Sequence, residues 1–387
     1  MRFPALPPPE DEILHDFTEE QGRLGLILAN VPGPTYRGRY LHWDKLRHYP
    51  PPEGLTHKEW WLGLKFRRRG SARTIPLTDK EGHRFTFSLV DPLPEDLHLF
   101  DLSATGHMEF PRAILDPATR DRYLVHSLME EAITSSQLEG AATTRAVAKE
   151  MLREGRPPRT RSERMIINNH KTMQKIVDIK DSPLTKDLVF ELHRMVTLDT
   201  IDDRSAPGRF RRADERVHVA NQDEEALHTP PPAGELEKRM ELMCEFANGG
   251  ATTEFIHPAI RSMILHFWLA YDHPFIDGNG RTARALFYWS MLNNGYRLCE
   301  FISISEIILK APAKYGRAFL YTETDDNDLT YFLIYHAEIV RRAIRSLESY
   351  VELRSKELQS LEAELIGVTA LNYRQRDLIS HALRHPG

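Results

Sequence analysis

Twelve consecutive residues, His273-Pro-Phe-Ile-Asp-Gly-Asn-Gly-Arg-Thr-Ala-Arg284, bring together a base, a hard oxygen ligand, two glycines and two arginines. His273 has an unperturbed pKa suited to proton transfer near neutral pH. Asp277 supplies the kind of oxygen that a phosphate-bound magnesium ion accepts. Gly278 and Gly280 flank Asn279, so successive backbone N–H groups can turn toward one point and form a nest for phosphate oxygens. Arg281 and Arg284 are three apart and share a helical face, at the positive end of the helix they open. Singly, each has a plain structural reading, such as a packed helix-end histidine or a turn. Together they call for a nucleotide and an attacking hydroxyl.

The flanking pattern says how these groups are positioned. Ile260, Ile264, Phe267, Trp268 and Tyr271 recur at helical spacing, so a buried helix delivers His273 to a loop. A second helix follows the glycines, runs through Leu286, Phe287, Trp289 and Met291, and stops at Asn294-Gly295, a helix C-terminal signal. The expected unit is helix, anion loop, helix.

The stretch matches His-Pro-Phe-x-Asp/Glu-Gly-Asn-Gly-Arg-x-x-Arg at all nine specified positions, and on it the chain resembles the Fic-domain proteins. The resemblance implies a mainly α fold, a Fic-type helical bundle with a β-hairpin flap, covering roughly residues 120–350. It also implies transfer of AMP from ATP to a hydroxyl side chain of a target protein, and of the enzyme itself. Carried over by position, His273 is the general base and Asp277 the Mg2+ ligand. Gly278, Asn279, Gly280 and Arg281 hold the α- and β-phosphates, Arg284 holds the γ-phosphate, and Phe275 anchors the loop in the core. Kinase-like relatives have lysine at the position of Gly280, so glycine here favours adenylyl over phosphoryl transfer.

Residues 127–140 form a helix closed by glycine, on which Ser135 and Glu139 are four apart and share a face. Beside the signature they resemble the family's inhibitory motif, Ser/Thr-x-x-x-Glu-Gly/Asn, completed by Gly140. A Glu139 carboxylate paired with Arg284 would occupy the guanidinium that the γ-phosphate needs. One charge-assisted hydrogen bond of about 1.5–3 kcal/mol corresponds to a handicap of about ten- to hundredfold. The Pro-Gly-x-Phe-Arg segment at residues 207–211 precedes the flap, which Val217, His218, Val219, Ala220 and Asn221 occupy; alternation of Val217 and Val219 reads as a short hairpin. Relatives often have glycine where Ala220 stands. Tyr315 matches one of two tyrosines that line the adenine pocket in relatives, Lys314 replaces the other, and Thr322 stands where an asparagine often contacts adenine.

At 387 residues the chain is long enough for two or three domains, and 41% hydrophobic with 28% charged residues is a globular composition. A net charge of −5 gives no overall basic footprint for nucleic acid. Cys244 and Cys299 form neither a disulfide framework nor a zinc spacing, which fits a reducing cytoplasm, and no apolar run reaches membrane-spanning length. Residues 1–110 read as a small α/β accessory domain. Within it Thr56 and Glu59 form a capping box, Trp60-Trp61 a core cluster, residues 75–89 a hairpin, and Arg67-Arg-Arg69 a solvated strand end. Residues 153–164 read as a linker leading into a helix at Ser162. A long helix from Thr330 to about Glu364 reads as a packing or dimerisation element. Residues 351–387 end in a helix similar to the start of a winged-helix module, too short to complete one, and through it alone would DNA contact arise. Three alternatives stay open: removal of AMP with Glu139 positioning a water, transfer of another phosphate-linked group, or a nucleotide-binding adaptor.

Overall fold

The computed structural model describes residues 2–15, 22–104, 117–215, 217–220, 226–367 and 372–384. Short helices α1 (Glu10–His15), α2 (Arg23–Asn30) and α3 (Trp43–Leu46) surround α4 (His57–Arg69). The Thr56 hydroxyl accepts from the Glu59 N–H, and the Glu59 carboxylate accepts from the Thr56 N–H, the expected capping box. Trp60 and Trp61 fill a small core with Ile13, Ile27, Val31 and Leu46.

The following segment belongs to a different core. Strands β1 (Arg73–Thr78) and β2 (Arg84–Phe87) pair antiparallel, and with α5 (Leu93–Ala104) they place Ile75, Leu77, Phe85, Phe87, Leu93 and Phe100 in the main hydrophobic cluster. The boundary expected near 110 is therefore not a boundary between cores. Nor is Arg67-Arg-Arg69 a solvated strand end, since it is the last turn of α4. Arg68 is buried and donates to Tyr331 Oη at 2.7 Å and to the Leu41 carbonyl at 2.9 Å. Arg67 donates to the Leu28 and Val31 carbonyls, and Lys65 meets buried Asp325 at 2.6 Å. Burial of the opposing carboxylate and of unfilled carbonyls is what drew these cations inward.

The main body comprises α6 (Pro117–Leu138), α7 (Arg145–Glu154), α8 (Arg161–Asp178), α9 (Lys186–Thr197), α10 (Leu236–Ala247), α11 (Pro258–Asp272), α12 (Asn279–Asn293), α13 (Ile304–Leu309), α14 (Pro312–Glu323), α15 (Thr330–Gly367) and α16 (Tyr373–Arg384). The helices α11 and α12 are buried almost all round and form its centre. Helix α6 is fixed to this centre by Glu131, whose carboxylate accepts from Tyr288 Oη at 2.8 Å, Ser303 Oγ at 2.9 Å and the Ser305 N–H at 3.0 Å. A short hairpin overlaps the stretch read as the flap. Residues 207–215 contain no strand, and β3 (Val219–Ala220) pairs with β4 (Ala226–His228). Arg211 explains this, because its bonds to the end of α11, described below, hold that segment off any ladder. Among the described residues no helix is long and apolar enough to cross a membrane.

Candidate active site

The signature loop is fastened largely by its own neighbours. Helix α11 ends at His273, whose backbone turns into the left-handed region at φ 44° while its N–H still donates to the Leu269 carbonyl at 3.0 Å. That turn aims the following residues out of the helix axis. Asn279 then folds its side chain back onto Phe275, accepting the Phe275 N–H at 2.9 Å and donating to the Phe275 carbonyl at 2.8 Å. Phe275 is wholly buried and stacks on the His193 ring at 3.7 Å. Helix α12 starts at Asn279, and the Thr282 N–H makes the first backbone bond, to the Gly278 carbonyl at 2.9 Å. The N–H groups of Asn279, Gly280 and Arg281 precede that bond and form the anion nest.

Gly278 has φ 84° and packs so closely on α9 that a Cβ would lie 2.6 Å from Thr197 Cγ2. Gly280 is constrained by an acid. A Cβ there would lie 2.2 Å from Glu139 Oε1, so the Glu139 carboxylate sits directly over the nest. The same carboxylate accepts from Arg284 Nη2 at 2.8 Å, while Arg284 Nε donates to Ser135 Oγ at 2.8 Å and Nη2 also to the Ser135 carbonyl at 3.0 Å. Burial alone would raise the Glu139 carboxyl, but the Arg284 guanidinium outweighs it and holds the pKa below its ordinary value. Gly140 closes the turn at φ 88°, its N–H donating to the Gln137 carbonyl.

Arg281 differs from Arg284 although both are buried. Its Nη1 donates to the Val196 carbonyl at 2.7 Å, Nη2 reaches Asp277 Oδ1 at 3.5 Å, and its Nε meets no acceptor among the described residues. Arg281 thus ties α12 to α9 and keeps one donor in reserve.

The His273 ring is set as a base. Its Nδ1 lies 3.2 Å from the Ala270 carbonyl, which can only accept, so Nδ1 carries the proton and Nε2 presents the lone pair. Burial pushes its pKa down to about 4, against the Ala270 bond and with the help of the His228 charge, so the ring is neutral at pH 7. Asp277 is half-exposed, accepts the Gly278 N–H at 2.5 Å, and has only longer contacts to Arg281 at 3.5 Å and Arg161 at 3.7 Å. Among the described residues no group of three or more metal-ligating side chains exists. One accessible carboxylate beside a phosphate nest still fits magnesium, which takes one or two carboxylates together with substrate phosphates.

Three residues that the sequence reading left without a role hold this site. His193 donates from Nε2 to the Asp277 carbonyl at 2.9 Å and accepts the Gly208 N–H at Nδ1, also at 2.9 Å, joining the loop to the segment before the flap. Arg211 donates to the His273 and Pro231 carbonyls, while its N–H donates to the Pro274 carbonyl. His228 bonds Glu323 and the Tyr271 carbonyl. Only Arg211, inside Pro-Gly-x-Phe-Arg, carried any local signal.

The remaining expected residues spread further out. Val217 is half-buried and His218 and Val219 are exposed beside the loop, Ala220 pairs with Ala226, and Asn221 lies outside the described residues. Tyr315 Oη bonds His266 Nε2 at 2.7 Å. Thr322 is fully buried and its hydroxyl meets no partner among the described residues. Lys314 is exposed.

A helix pair enclosing an N–H nest, with a neutral histidine at its rim and a short hairpin beside it, defines a Fic-type helical fold. Residues 183–291 match the Fic/DOC family, so the chain carries a Fic domain. Over 199 residues it is 29% identical to a protein adenylyltransferase Fic of Nematostella vectensis, covering 51% of this chain and 43% of the relative. A protein of the same name from Drosophila willistoni is 34% identical over 129 residues, 33% of this chain and 22% of its own. The chain thus spans less than half the length of these relatives. The fold is similar to that of a Fic family protein from Desulfovibrio desulfuricans G20, with a TM-score of 0.55 at 22% identity over 67% of this chain and 75% of the other. It is also similar to Fic-1 from C. elegans, with a TM-score of 0.52 at 20% identity over 68% and 73%.

Proposed function

We propose that this chain is a protein adenylyltransferase that moves AMP from ATP to a hydroxyl side chain of a target protein and of itself, restrained by Glu139. The observation that carries the reading is a neutral His273 with a free Nε2, set at the rim of a nest of three N–H groups. His273 Nε2 takes the proton of the attacking hydroxyl as its oxygen bonds the α-phosphorus. The N–H groups stabilise charge on the phosphate oxygens, and the bond to the leaving pyrophosphate breaks. Asp277 would hold Mg2+, which when bound neutralises phosphate charge.

Restraint is supported by the Glu139 carboxylate, which lies over Gly280 and takes donors of Arg284. With the γ-phosphate contact occupied, ATP is left without its productive pose. The Val219 edge of the flap supports pairing with an extended target segment. Free, buried Cys244 and Cys299 support a cytoplasmic setting, and exposed Leu353 and Leu361 on α15 support a dimer.

Incubation with ATP labelled in the α-phosphate should leave label on protein, lost in His273→Ala, whereas γ-label should leave with pyrophosphate. Label arriving from the γ-phosphate instead would mean phosphoryl transfer and overturn the proposal.

A further inference from the structure

His228, the last residue of β4, is buried with both ring nitrogens facing acceptors. Nδ1 lies 2.7 Å from Glu323 Oε2 on α14, and Nε2 lies 2.7 Å from the Tyr271 carbonyl on α11. Neither a carboxylate nor a carbonyl can donate, so a neutral imidazole, with one N–H, would leave a lone pair against an acceptor. Only the imidazolium satisfies both contacts. We propose that His228 is a positioning residue of the transfer reaction, a charged tie that fastens the flap to the helix carrying His273 and lets go when it loses its proton.

The tie is one of two. Arg211 fastens the segment before the flap to the His273 carbonyl and the residues after it to the Pro231 carbonyl, and it keeps its charge at every working pH. His228 fastens β4 itself and can be neutralised. Between the two ties the hairpin has, among the described residues, only the pairs Val219 with His228 and Ala220 with Ala226. Such a short ladder needs outside support to keep its edge in place.

The charged and titratable groups around His228 are Glu323 from α14, Tyr271 and Asp272 from α11, with the Tyr271 ring 4.8 Å from the imidazole, and His273 just past the end of α11. Asp272 is already paired with Arg239 of α10, at 2.8 and 2.6 Å. Burial lowers the His228 pKa, but the Glu323 bond and charge and the Tyr271 carbonyl more than offset this, and it stands above the ordinary histidine value. A raised folded pKa means that the tie is complete below about 6.5 and is lost as pH rises through the folded value. The His228 charge also disfavours a second charge on His273, which keeps the base neutral while the flap is closed.

The functional role rests on the adenylyltransferase reading, so the test has arms that do not need turnover. In the full chain, nitrogen NMR of the histidine rings should show His228 protonated on both nitrogens at pH 7, and Glu323→Gln should lower its pKa by at least about one pH unit. Amide exchange at Val219 and Leu227, corrected for intrinsic base catalysis, should accelerate by at least about tenfold above the His228 pKa, the factor for one charge-assisted bond. The same limb should move to lower pH in Glu323→Gln. In a Glu139→Gly background, transfer of α-label to the chain should fall along that limb with the KM for ATP unchanged. A neutral His228 at pH 7, or hairpin exchange indifferent to its titration, overturns the tie. Transfer or a KM for ATP that ignores or mirrors the limb, respectively, overturns the positioning role. No transfer at any pH, with the tie titrating as expected, would instead sink the adenylyltransferase reading.

Discussion

The anion loop and the flap meet at His273, and they are held in opposite ways. Bonds between neighbours hold the loop: Asn279 to Phe275, Thr282 to Gly278, and Gly278 to Asp277, with His193 as a brace from α9. The flap depends on distant partners, because Arg211 and His228 reach the end of α11 and α14 while its ladder has two pairs among the described residues. The part that must present the same geometry at every turnover is encoded locally. The part that, on the proposed reading, admits another chain is held by one permanent tie, Arg211, and one that can be released, His228.

The harshest test of this contrast is His273→Ala, where loop and flap share a residue. Loss of a general base should reduce transfer by about 10²–10⁴-fold. Calorimetric ATP affinity should be unchanged, because the nest lies in Asn279, Gly280 and Arg281. Next comes Glu139→Gly, which should raise self-modification by about ten- to hundredfold, whereas Arg284→Ala should show no gain and the double variant should resemble Arg284→Ala. Unchanged transfer by a folded Glu139→Gly protein would remove the restraint. A smaller effect separates the two regions by stability. Asn279→Ala strips partners from two buried Phe275 groups and should lower unfolding free energy by roughly 2 kcal/mol or more, while exposed Val219→Ala should stay within about 0.5 kcal/mol. Urea denaturation of both variants decides it, and equal losses would refute local fastening of the loop.

The gentlest prediction concerns pH. With His273 held at about 4, the ring is neutral above that value, so the acid limb of transfer should lie near 4 and not near 6.5. The sign for stability follows. The unfolded chain takes up a proton at this ring before the folded one, so His273 disfavours folding as pH drops from about 6.5 toward 4, after which its effect levels off. His42, His126 and His193 are held near 4 in the same way and add to the slope, so a urea midpoint series should show a steeper fall in the parent than in His273→Asn.

This division also explains what could be read from the sequence. The helix, loop and helix around residues 273–284 were legible because spacing, glycines and capping act within a few residues. So were the Thr56 capping box and the convergence of Ser135 and Glu139 on one face, which the structure places against Arg284. His193, His228 and Arg239 gave no signal, since their meaning lies in partners far along the chain. Arg68 was misread for the same reason: a run of arginines looks solvated until Asp325 and Tyr331 are known to lie beneath it. The second strand of the hairpin, Ala226–His228, gave no signal, and alternation at Val217 and Val219 cannot reveal that Arg211 commits the preceding segment to the end of α11.

The carboxylate oxygen over Gly280 links two positions 141 residues apart in their substitution history. Any side chain at 280 must displace Glu139, because a Cβ and Oε1 cannot share 2.2 Å. A lineage that acquired lysine at 280 while keeping this glutamate would have its carboxylate swung off Arg284. One that first lost the glutamate would, on the proposed reading, pass through an unrestrained enzyme. Sequences related to this chain should therefore show the two changes together or neither, with glycine at 280 persisting for as long as the acid above it does.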